Sequence, residues 1–280
     1  RHEDQVKDMC VAMGCYEMYN YNFTGPAALN ALRIAEGDEK YLAVRLMNPF
    51  GEDQSLMRTT LMAGMLNTVA LNCNRKTGHG RFFEVGNVHI DNNPDLPEER
   101  KMLGLIFTGA DESFFTLKGV IEYVRVKKGV IEYILRKLGM GDRAEFVPGG
   151  SQFFQPGQKA LIMVDGQVIG EMGAVHPDTR KAFGVPQAAY AAELSVKKLF
   201  ELRENGKTYK AIPKYPTVPR DIAVVVDECV TSAQVAGAIK AAPVKVLLEN
   251  VELFDVYRGT GIPEGKKSMA YSYTVRAEDR

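Results

Sequence analysis

The stretch SLMRTTLMAGMLNTVALNCNRKTGHGRFFEVGNVH, residues 55–89, decides the fold because it predicts a helix that leads into a strand. Its segment RFFEVG carries Arg81 and Glu84, three residues apart. Side chains alternate between the two faces of a strand, so this spacing predicts that the arginine and the glutamate lie on opposite faces of a sheet. Such a pair cannot grip one ligand together unless a bulge intervenes.

Strands and helices alternate on both sides of this stretch. Aromatic and β-branched runs predict strands over residues 16–23, 41–50, 78–90, 100–109 and 159–176, the last a hairpin turning at Asp165-Gly166. Helical spacing predicts helices over residues 3–14, 55–75 and 127–140. Mostly antiparallel strands with flanking helices predict an α+β layer.

The totals describe a globular chain of 280 residues, 45% hydrophobic and 25% charged, which is long enough for two domains. Basic and acidic residues number 35 each, which excludes a uniformly cationic nucleic-acid binder but not a local basic face. No apolar run approaches the roughly 18 residues of a membrane span. Four scattered cysteines without a CxxC pair indicate reduced thiols in a cytosolic protein, and the start at Arg1 suggests a piece of something longer.

A change of composition near Asn205 predicts a second domain, so we divide the chain into residues 1–204 and 205–280. Residues 205–220 contain three prolines and four basic residues, which suits a linker that runs into a new domain. The pattern beyond is strand, helix, strand, strand, the first part of a ferredoxin-like unit. The second helix and last strand of that unit do not follow, so we expect this domain to be incomplete.

Several segments resemble a known family along nearly the full length of the chain. KYPTVPRDIAVVVDE, VELFDVYRG and IPEGKKSMAYSYTVRAEDR are similar to the anticodon-binding domain of bacterial phenylalanyl-tRNA synthetase beta chains. NPFGEDQSLMRTTLMAGML, RFFEVG, FFTLKG and QPGQKALIMVDGQVIGEMGAVHP resemble the synthetase-like core of the same chains. The resemblance implies a class II synthetase-like antiparallel sheet with flanking helices, then a truncated ferredoxin-like (RRM-like) domain. A doubled KGVIEY, at residues 118–123 and 128–133, departs from the family pattern.

The resemblance also implies a function and partners. The family joins phenylalanine to its tRNA with ATP as a two-alpha, two-beta tetramer, with the chemistry in the alpha chain. By this resemblance the partners are the alpha chain, tRNA(Phe) and a second beta chain. We expect no catalytic residue and no cofactor in this chain, while ATP and magnesium are implied for the holoenzyme.

The strand RFFEVG offers a check on the expected inactivity. In active class II enzymes, the resemblance implies, the Arg and Glu of this strand lie two residues apart. Aligning Glu84 with that glutamate puts Phe82 at the arginine position, and a phenyl ring cannot neutralise phosphate. The chain also lacks GxxxxGK[ST], GxGxxG and a glycine-rich segment with a second phosphate-gripping Arg. We therefore expect Glu84 to be structural.

The second domain supplies the candidate tRNA-binding residues. On its third strand, Met269 and Tyr271 are expected to pack on the helices, whereas Ser268 and Ser272 face solvent or RNA. That outer face lacks the aromatics that stack on bases, which favours recognition of backbone and shape. Basic groups that flank the strands form one positive rim if the strands lie side by side. The candidates are Lys214, Arg220, Tyr257, Arg258, Lys266, Lys267 and Arg276.

Leu61, Met65 and Val69 form one apolar line on the predicted helix. We assign this stripe to a subunit interface with the alpha chain or a second copy, and burial in the chain's own core is the alternative. The histidines are too dispersed to predict a metal site; they are His2, His79, His89 and His176.

Two functions from other classes stay open at this point. An ATP-dependent acyl-adenylate enzyme on the same core requires a second arginine from elsewhere in the chain. A pure protein-interaction module would bind a partner without salt dependence and would not bind tRNA.

Overall fold

The computed structural model describes residues 2–93, 95–118, 130–204, 216–243 and 247–276, which fall into two compact units. The first unit takes the described residues up to 204, and the second takes those from 216 onward. Lys214 and most of the doubled KGVIEY segment lie outside the described residues. None of the described helices is long and apolar enough to cross a bilayer.

The first unit is built on a seven-stranded sheet. Its strands, in the order in which they lie side by side, are β1 (Tyr16–Glu17), β4 (Gly80–Ile90), β5 (Glu98–Thr108), β9 (Ala189–Ser195), β8 (Gln167–Val175), β7 (Phe154–Val164) and β6 (Ala144–Pro148). β1 pairs with β4 in parallel, and the other neighbours pair antiparallel. A second, two-stranded sheet joins β2 (Phe23–Thr24) to β3 (Leu56–Met57). The α+β layer predicted from the sequence is confirmed.

Helices cover both faces of the large sheet, and each face has its own apolar core. One face packs against α1 (His2–Ala12), α4 (Phe114–Lys118), α5 (Val130–Lys137) and α7 (Val196–Glu201). The other face packs against α2 (Pro26–Ala31), α3 (Met62–Asn74) and α6 (Pro177–Phe183). Short 3₁₀ turns occupy Glu39–Tyr41, Glu52–Gln54 and Gly141–Arg143. Each layer of helices thus buries one side of a single sheet.

The β7–β8 hairpin turns at Asp165-Gly166, as predicted, with positive φ at both residues. The strand predicted over residues 41–50 is wrong. In that segment only Arg45 bridges another residue, Leu56, among the described residues. Its backbone hydrogen bonds go to separate neighbours, from Leu46 N–H to the Ser55 carbonyl and from Asp91 N–H to the Leu42 carbonyl, so they do not build one continuous ladder.

The helix predicted over residues 55–75 begins later, at Met62. Leu56 and Met57 instead pair with β2, and the backbone N–H of Leu61 donates to the buried carboxylate of Glu193. This carboxylate caps the N-terminus of the helix. The tertiary partner, which lies more than 130 residues away along the chain, therefore sets where the helix starts.

The stripe of Leu61, Met65 and Val69 lies in the core of the first unit, and the interface assignment is wrong. All three side chains have no exposed surface. They pack onto the sheet at Gly104, where an added Cβ would lie 2.6 Å from the Met65 sulfur. The stripe packs inside the chain because Gly104, which has no side chain, lets α3 approach the strand β5 closely.

The second unit consists of β10 (Val218–Asp227), α8 (Ser232–Lys240), β11 (Leu247–Tyr257) and β12 (Lys266–Arg276). Its strands lie in the order β10-β12-β11, with antiparallel pairing throughout. α8 starts at a capping box made by Thr231 and Gln234, and it covers one face of the sheet. The predicted strand-helix-strand-strand order is confirmed.

Met65→Ala is expected to destabilise the chain by about 2–5 kcal/mol, because it leaves a cavity above Gly104. Leu71, half-exposed on the same helix, is the matched control, and Leu71→Ala should cost less than about 0.5 kcal/mol. Denaturant unfolding of the chain by itself measures both. Equally small effects would mean that Met65 serves a partner and not the core.

Candidate active-site floor and candidate nucleic-acid interface

Three buried glutamates lie in one row across the large sheet. Glu171 pairs with Glu193, Glu193 with Gly104, and Gly104 with Glu84. Directly paired residues of antiparallel strands point to the same face, so the three carboxylates share the face that α3 covers. The carboxylates are 1–8% exposed. An unpaired charge at this depth is costly, so each needs a partner.

Glu84 at one end of the row is held by Arg58 and Asn20. The Arg58 Nη1 donates to Glu84 Oε1 at 2.6 Å, and Asn20 Nδ2 donates to Oε2 at 2.6 Å. The Arg58 Nε also donates to the carbonyl of Asn87 at 2.9 Å. Gly86 makes room for this guanidinium, since a Cβ there would lie 2.3 Å from its Nη2. The ion pair is buried, with 7% of the Arg58 side chain and 1% of the Glu84 side chain exposed.

Glu171 at the other end is held by Lys40 and Ser151. The Lys40 Nζ lies 2.5 Å from Glu171 Oε1, and the backbone N–H of Ser151 donates to Oε2 at 2.7 Å. Burial by itself raises the pKa of Glu171, but the charge of Lys40 and these hydrogen bonds outweigh it and lower the pKa. Glu171 is therefore held as a carboxylate beside a lysine cation.

Glu193 in the middle of the row caps α3. Its carboxylate accepts from the Leu61 N–H at 2.7 Å and from the Thr60 hydroxyl at 3.0 Å. Burial raises the pKa of Glu193, and the neighbouring Glu171 charge adds to this, against the opposing influence of Lys40. The row therefore places two glutamates, Glu171 and Glu193, side by side. The charge of Lys40 acts to lower the pKa of both, and Glu193 also caps the start of α3.

Arg81 and Glu84 point to opposite faces of β4, as predicted. The β4–β5 register is regular through both positions. On its own side, Arg81 Nε donates to Glu112 Oε1 at 2.8 Å, and its guanidinium carbon lies 5.3 Å from the centre of the Phe107 ring. Glu84 and Arg81 are thus each engaged with different partners in different layers.

A cleft of about 740 Å³ opens beside Glu171 and Glu193. Its cations are already engaged within the chain: Lys40 with Glu171, Arg100 with Glu39 and Glu98, Lys101 with Glu3, Lys197 with Glu201, and Lys198 with the Val168 carbonyl. A nucleotide phosphate would have to compete with carboxylates for four of these five cations and with the Val168 carbonyl for Lys198. The residues that line this cleft do not fit an ATP site.

No group of three His, Cys, Asp or Glu side chains in the part of the chain that the structure describes is placed to hold a metal ion. His176 instead caps the start of α6 and contacts Arg33, whose Nη1 lies 2.7 Å from its Nδ1.

The candidate tRNA-binding residues divide between the two ends of the second sheet. Arg220 lies near the start of β10 and Arg276 at the end of β12, whereas Arg258 and Lys266 lie at the opposite end. Arg220 lies seven residues before Asp227, which pairs with Lys266, and this separation spans roughly 23 Å along the strand. The prediction of one positive rim is therefore wrong, because the strand length separates the cations.

Three of the candidates are engaged by the chain itself. Lys267 is buried, and its ammonium donates to the Glu228 carbonyl at 2.7 Å, so its assignment to the tRNA surface is wrong. Lys267 is buried because it lies on the face of β12 that α8 covers. Arg258 pairs with Glu228 at 2.6 Å, and Lys266 pairs with Asp227 at 3.2 Å.

Two other candidates are open to solvent. Arg220 is exposed, and Tyr257 is 47% exposed while its hydroxyl donates to the Thr260 carbonyl at 3.4 Å. Met269 and Tyr271 pack under α8, with the Tyr271 hydroxyl 3.1 Å from the Ser232 carbonyl, as predicted for that side of the strand.

The sheet and its two helical layers define a class II tRNA synthetase-like fold. The fold over 72% of this chain is similar to that of PylSc, a pyrrolysyl tRNA synthetase from Desulfitobacterium hafniense, at a TM-score of 0.56 and 13% identity over 67% of that chain. The family model of the phenylalanyl tRNA synthetase beta chain CLM domain matches residues 1–196, and that of the ferredoxin-fold anticodon binding domain matches residues 213–280. The chain belongs to the phenylalanyl-tRNA synthetase beta-chain family.

Curated relatives agree with this assignment. The phenylalanine–tRNA ligase beta subunits of Clostridium acetobutylicum and Clostridium tetani are 35% and 34% identical over 99% of this chain. That of Symbiobacterium thermophilum is 35% identical over 96% of it. The chain spans about a third of the length of these relatives, 34% of the two clostridial ones and 30% of the third.

Arg58→Met is expected to destabilise the first unit by about 3–5 kcal/mol, because it leaves the buried Glu84 without its ion-pair partner. Chemical denaturation measures the loss. Arg58→Met combined with Glu84→Gln should recover most of it, since the buried charge is then gone. The exposed Lys197→Met is the control, and a loss no larger than its own would contradict a buried ion pair.

Glu193→Gln is expected to change the pH dependence of stability. Because the folded-state pKa of Glu193 is raised, its contribution is full below about 4.3, the pKa of an unfolded glutamate, and is lost as the pH rises through the folded value. Glutamine does not titrate, so the variant should gain stability relative to the parent chain as the pH rises. Unfolding free energies between pH 4 and 8 measure this difference.

The exposed Glu201→Gln serves as the matched substitution and should change stability by less than about 0.5 kcal/mol. A Glu193→Gln difference that stays constant over the same pH range would contradict a raised pKa.

Proposed function

We propose that this chain is the part of a phenylalanine–tRNA ligase beta chain that supports the catalytic alpha chain and holds the tRNA anticodon stem-loop. The proposal is supported by the family matches to both units and by relatives that carry this name along nearly the whole chain. The observation that carries the supporting role is the row of Glu84, Glu171 and Glu193, whose face is filled by the chain's own cations and α3.

In this proposal the chemistry takes place in the alpha chain. ATP and magnesium would be bound there, where phenylalanine is activated. The first unit of this chain keeps the sheet of the class and contributes a rigid body instead. Its buried Arg58 and Lys40 neutralise neighbouring glutamates, so neither cation is available to grip a phosphate.

The second unit is the proposed tRNA-binding part. Support comes from the match of residues 213–280 to an anticodon-binding domain and from its exposed Arg220. The finer assembly belongs to the same proposal: a tetramer with two alpha chains, a second beta chain and tRNA(Phe), in the cytoplasm where protein synthesis occurs. An acyl-adenylate enzyme on this core is less consistent with the engaged cations of the cleft.

The chain alone, supplied with ATP and phenylalanine, is expected to catalyse no exchange of pyrophosphate into ATP above background. Joint expression with the alpha chain of the same organism should give a stable complex, and tRNA(Phe) should bind the chain more weakly as salt rises. Pyrophosphate exchange by the chain alone would contradict the supporting role. Association with the alpha chain that does not depend on salt, without tRNA binding, would favour a protein-interaction module.

A further inference from the structure

A second cavity of the first unit, of about 460 Å³, lies between α2, α3 and α6. The helices contribute alanines to its wall, and side chains of this size leave the space between the helices unfilled. These alanines are Ala27, Ala28 and Ala31 of α2, Ala63 of α3 and Ala182 of α6. The volume falls within the range of roughly 300–1,000 Å³ that small-molecule sites occupy. The cavity is therefore large enough for a compact organic ligand.

The wall of this cavity contains a polar group that is nine-tenths buried and has no partner. Thr24, at the end of β2, is 8% exposed, and its hydroxyl makes no hydrogen bond to any described residue. Its oxygen is not fully enclosed by the chain, and Thr24 lines the cavity, so the hydroxyl faces this space. Buried hydroxyls normally find a partner, because leaving one unpaired costs free energy. The hydroxyl of Thr24 is thus free to bind an occupant of the cavity.

The uncompensated charge on the wall is negative. Asp53 lines the cavity, is exposed and forms no ion pair with any described residue. Arg58 also lines the cavity, but Glu84 neutralises it at 2.6 Å. Gly25 holds the turn that carries Asp53 against the start of α2, since a Cβ on Gly25 would lie 2.8 Å from the Asp53 Cα. The packing of the backbone therefore positions an unpaired carboxylate at this cavity.

Aromatic side chains complete the wall. Tyr21, Phe23 and Phe183 line the same space. The face of an aromatic ring attracts a cation, and this attraction adds to that of a nearby carboxylate. A protonated amino group suits this wall, because it carries a positive charge for Asp53 and N–H donors for the hydroxyl oxygen of Thr24. Apolar carbon atoms suit the alanines and the rings, whereas an anion would meet the Asp53 carboxylate.

We propose that this cavity binds a small organic amine, which is a protonated amino group on a compact apolar body. The amino group lies at Asp53 and donates to the Thr24 hydroxyl, and the apolar body packs against the alanines of α2, α3 and α6. An α-amino acid carries an additional carboxylate that Asp53 repels, so a simple amine binds more tightly than the corresponding amino acid. The site belongs to the first unit and does not depend on tRNA binding or on the alpha chain.

The test measures binding of phenylethylamine to the 280-residue chain by isothermal titration calorimetry at about pH 7. Saturable binding at one site is expected, with a Kd of about 0.1–1 mM. Phenylethanol replaces the ammonium by a hydroxyl and should bind about fivefold more weakly, since it loses the charge. Phenylpropionate, an anion of similar size, should not bind measurably. Phenylalanine should bind more weakly than phenylethylamine, which separates amines from amino acids.

Variants of the wall locate the site. Asp53→Asn should weaken phenylethylamine about fivefold and leave phenylethanol unchanged. Thr24→Val keeps the shape of the side chain and should weaken phenylethylamine, because the hydroxyl is lost. Ala31→Leu fills the cavity and should weaken both compounds. Glu145→Gln removes an exposed carboxylate outside the cavity and should change neither affinity. Because Asp53 is exposed, Asp53→Asn should fold like the parent chain, and thermal melting checks each variant.

Absence of saturable phenylethylamine binding to the parent chain would overturn the proposal. Equal effects of Asp53→Asn and Glu145→Gln would place any binding elsewhere and would overturn it too. Equal affinities for phenylethylamine and phenylethanol would contradict the choice of an amine. Assembly with the alpha chain and tRNA binding are separate measurements, so a failure of the proposed function is distinguishable from a failure of this site.

Discussion

Three carboxylates on one face of an antiparallel sheet impose a condition on the whole first unit, because none of them can stay charged in the core without a partner. Glu171 and Glu193 are directly opposite, a pairing that is unfavourable between like charges. The chain meets the condition with Lys40, Arg58 and the start of α3. These partners come from residues 40–61, so that segment has to cross the sheet at this place.

The same condition accounts for the way this face of the sheet is covered. The partners that neutralise the row also cover it, and α3 then packs its apolar stripe over Gly104. A cation needed for the stability of the core is not available to a ligand, since removing it exposes a buried charge. A class II sheet can therefore keep its strand order while its face becomes part of the hydrophobic core.

The second unit has to keep one face of its sheet exposed to water. Its sheet is three strands wide, with one helix on one face, so the opposite face must remain compatible with water. Acids and small polar residues on that side achieve this, and the apolar set of Met269, Tyr271 and Val235 forms the core on the other. Tyr271 joins the two layers because its ring is buried while its hydroxyl reaches Ser232. This division of the strands also separates the charges of the unit.

The sequence by itself determined the strand-helix order of the second unit, the hairpin at Asp165-Gly166 and the opposite orientation of Arg81 and Glu84, because these depend on local periodicity and turn geometry. The family also followed from short segments. Only the tertiary structure decided that Leu61, Met65 and Val69 are buried. It also decided that α3 begins where Glu193 caps it, and that the Lys267 ammonium donates to the Glu228 carbonyl. Each of these outcomes depends on a contact with a residue at least 39 positions away in the chain, which is the separation of Lys267 and Glu228. Local sequence patterns carry no information about such distant contacts.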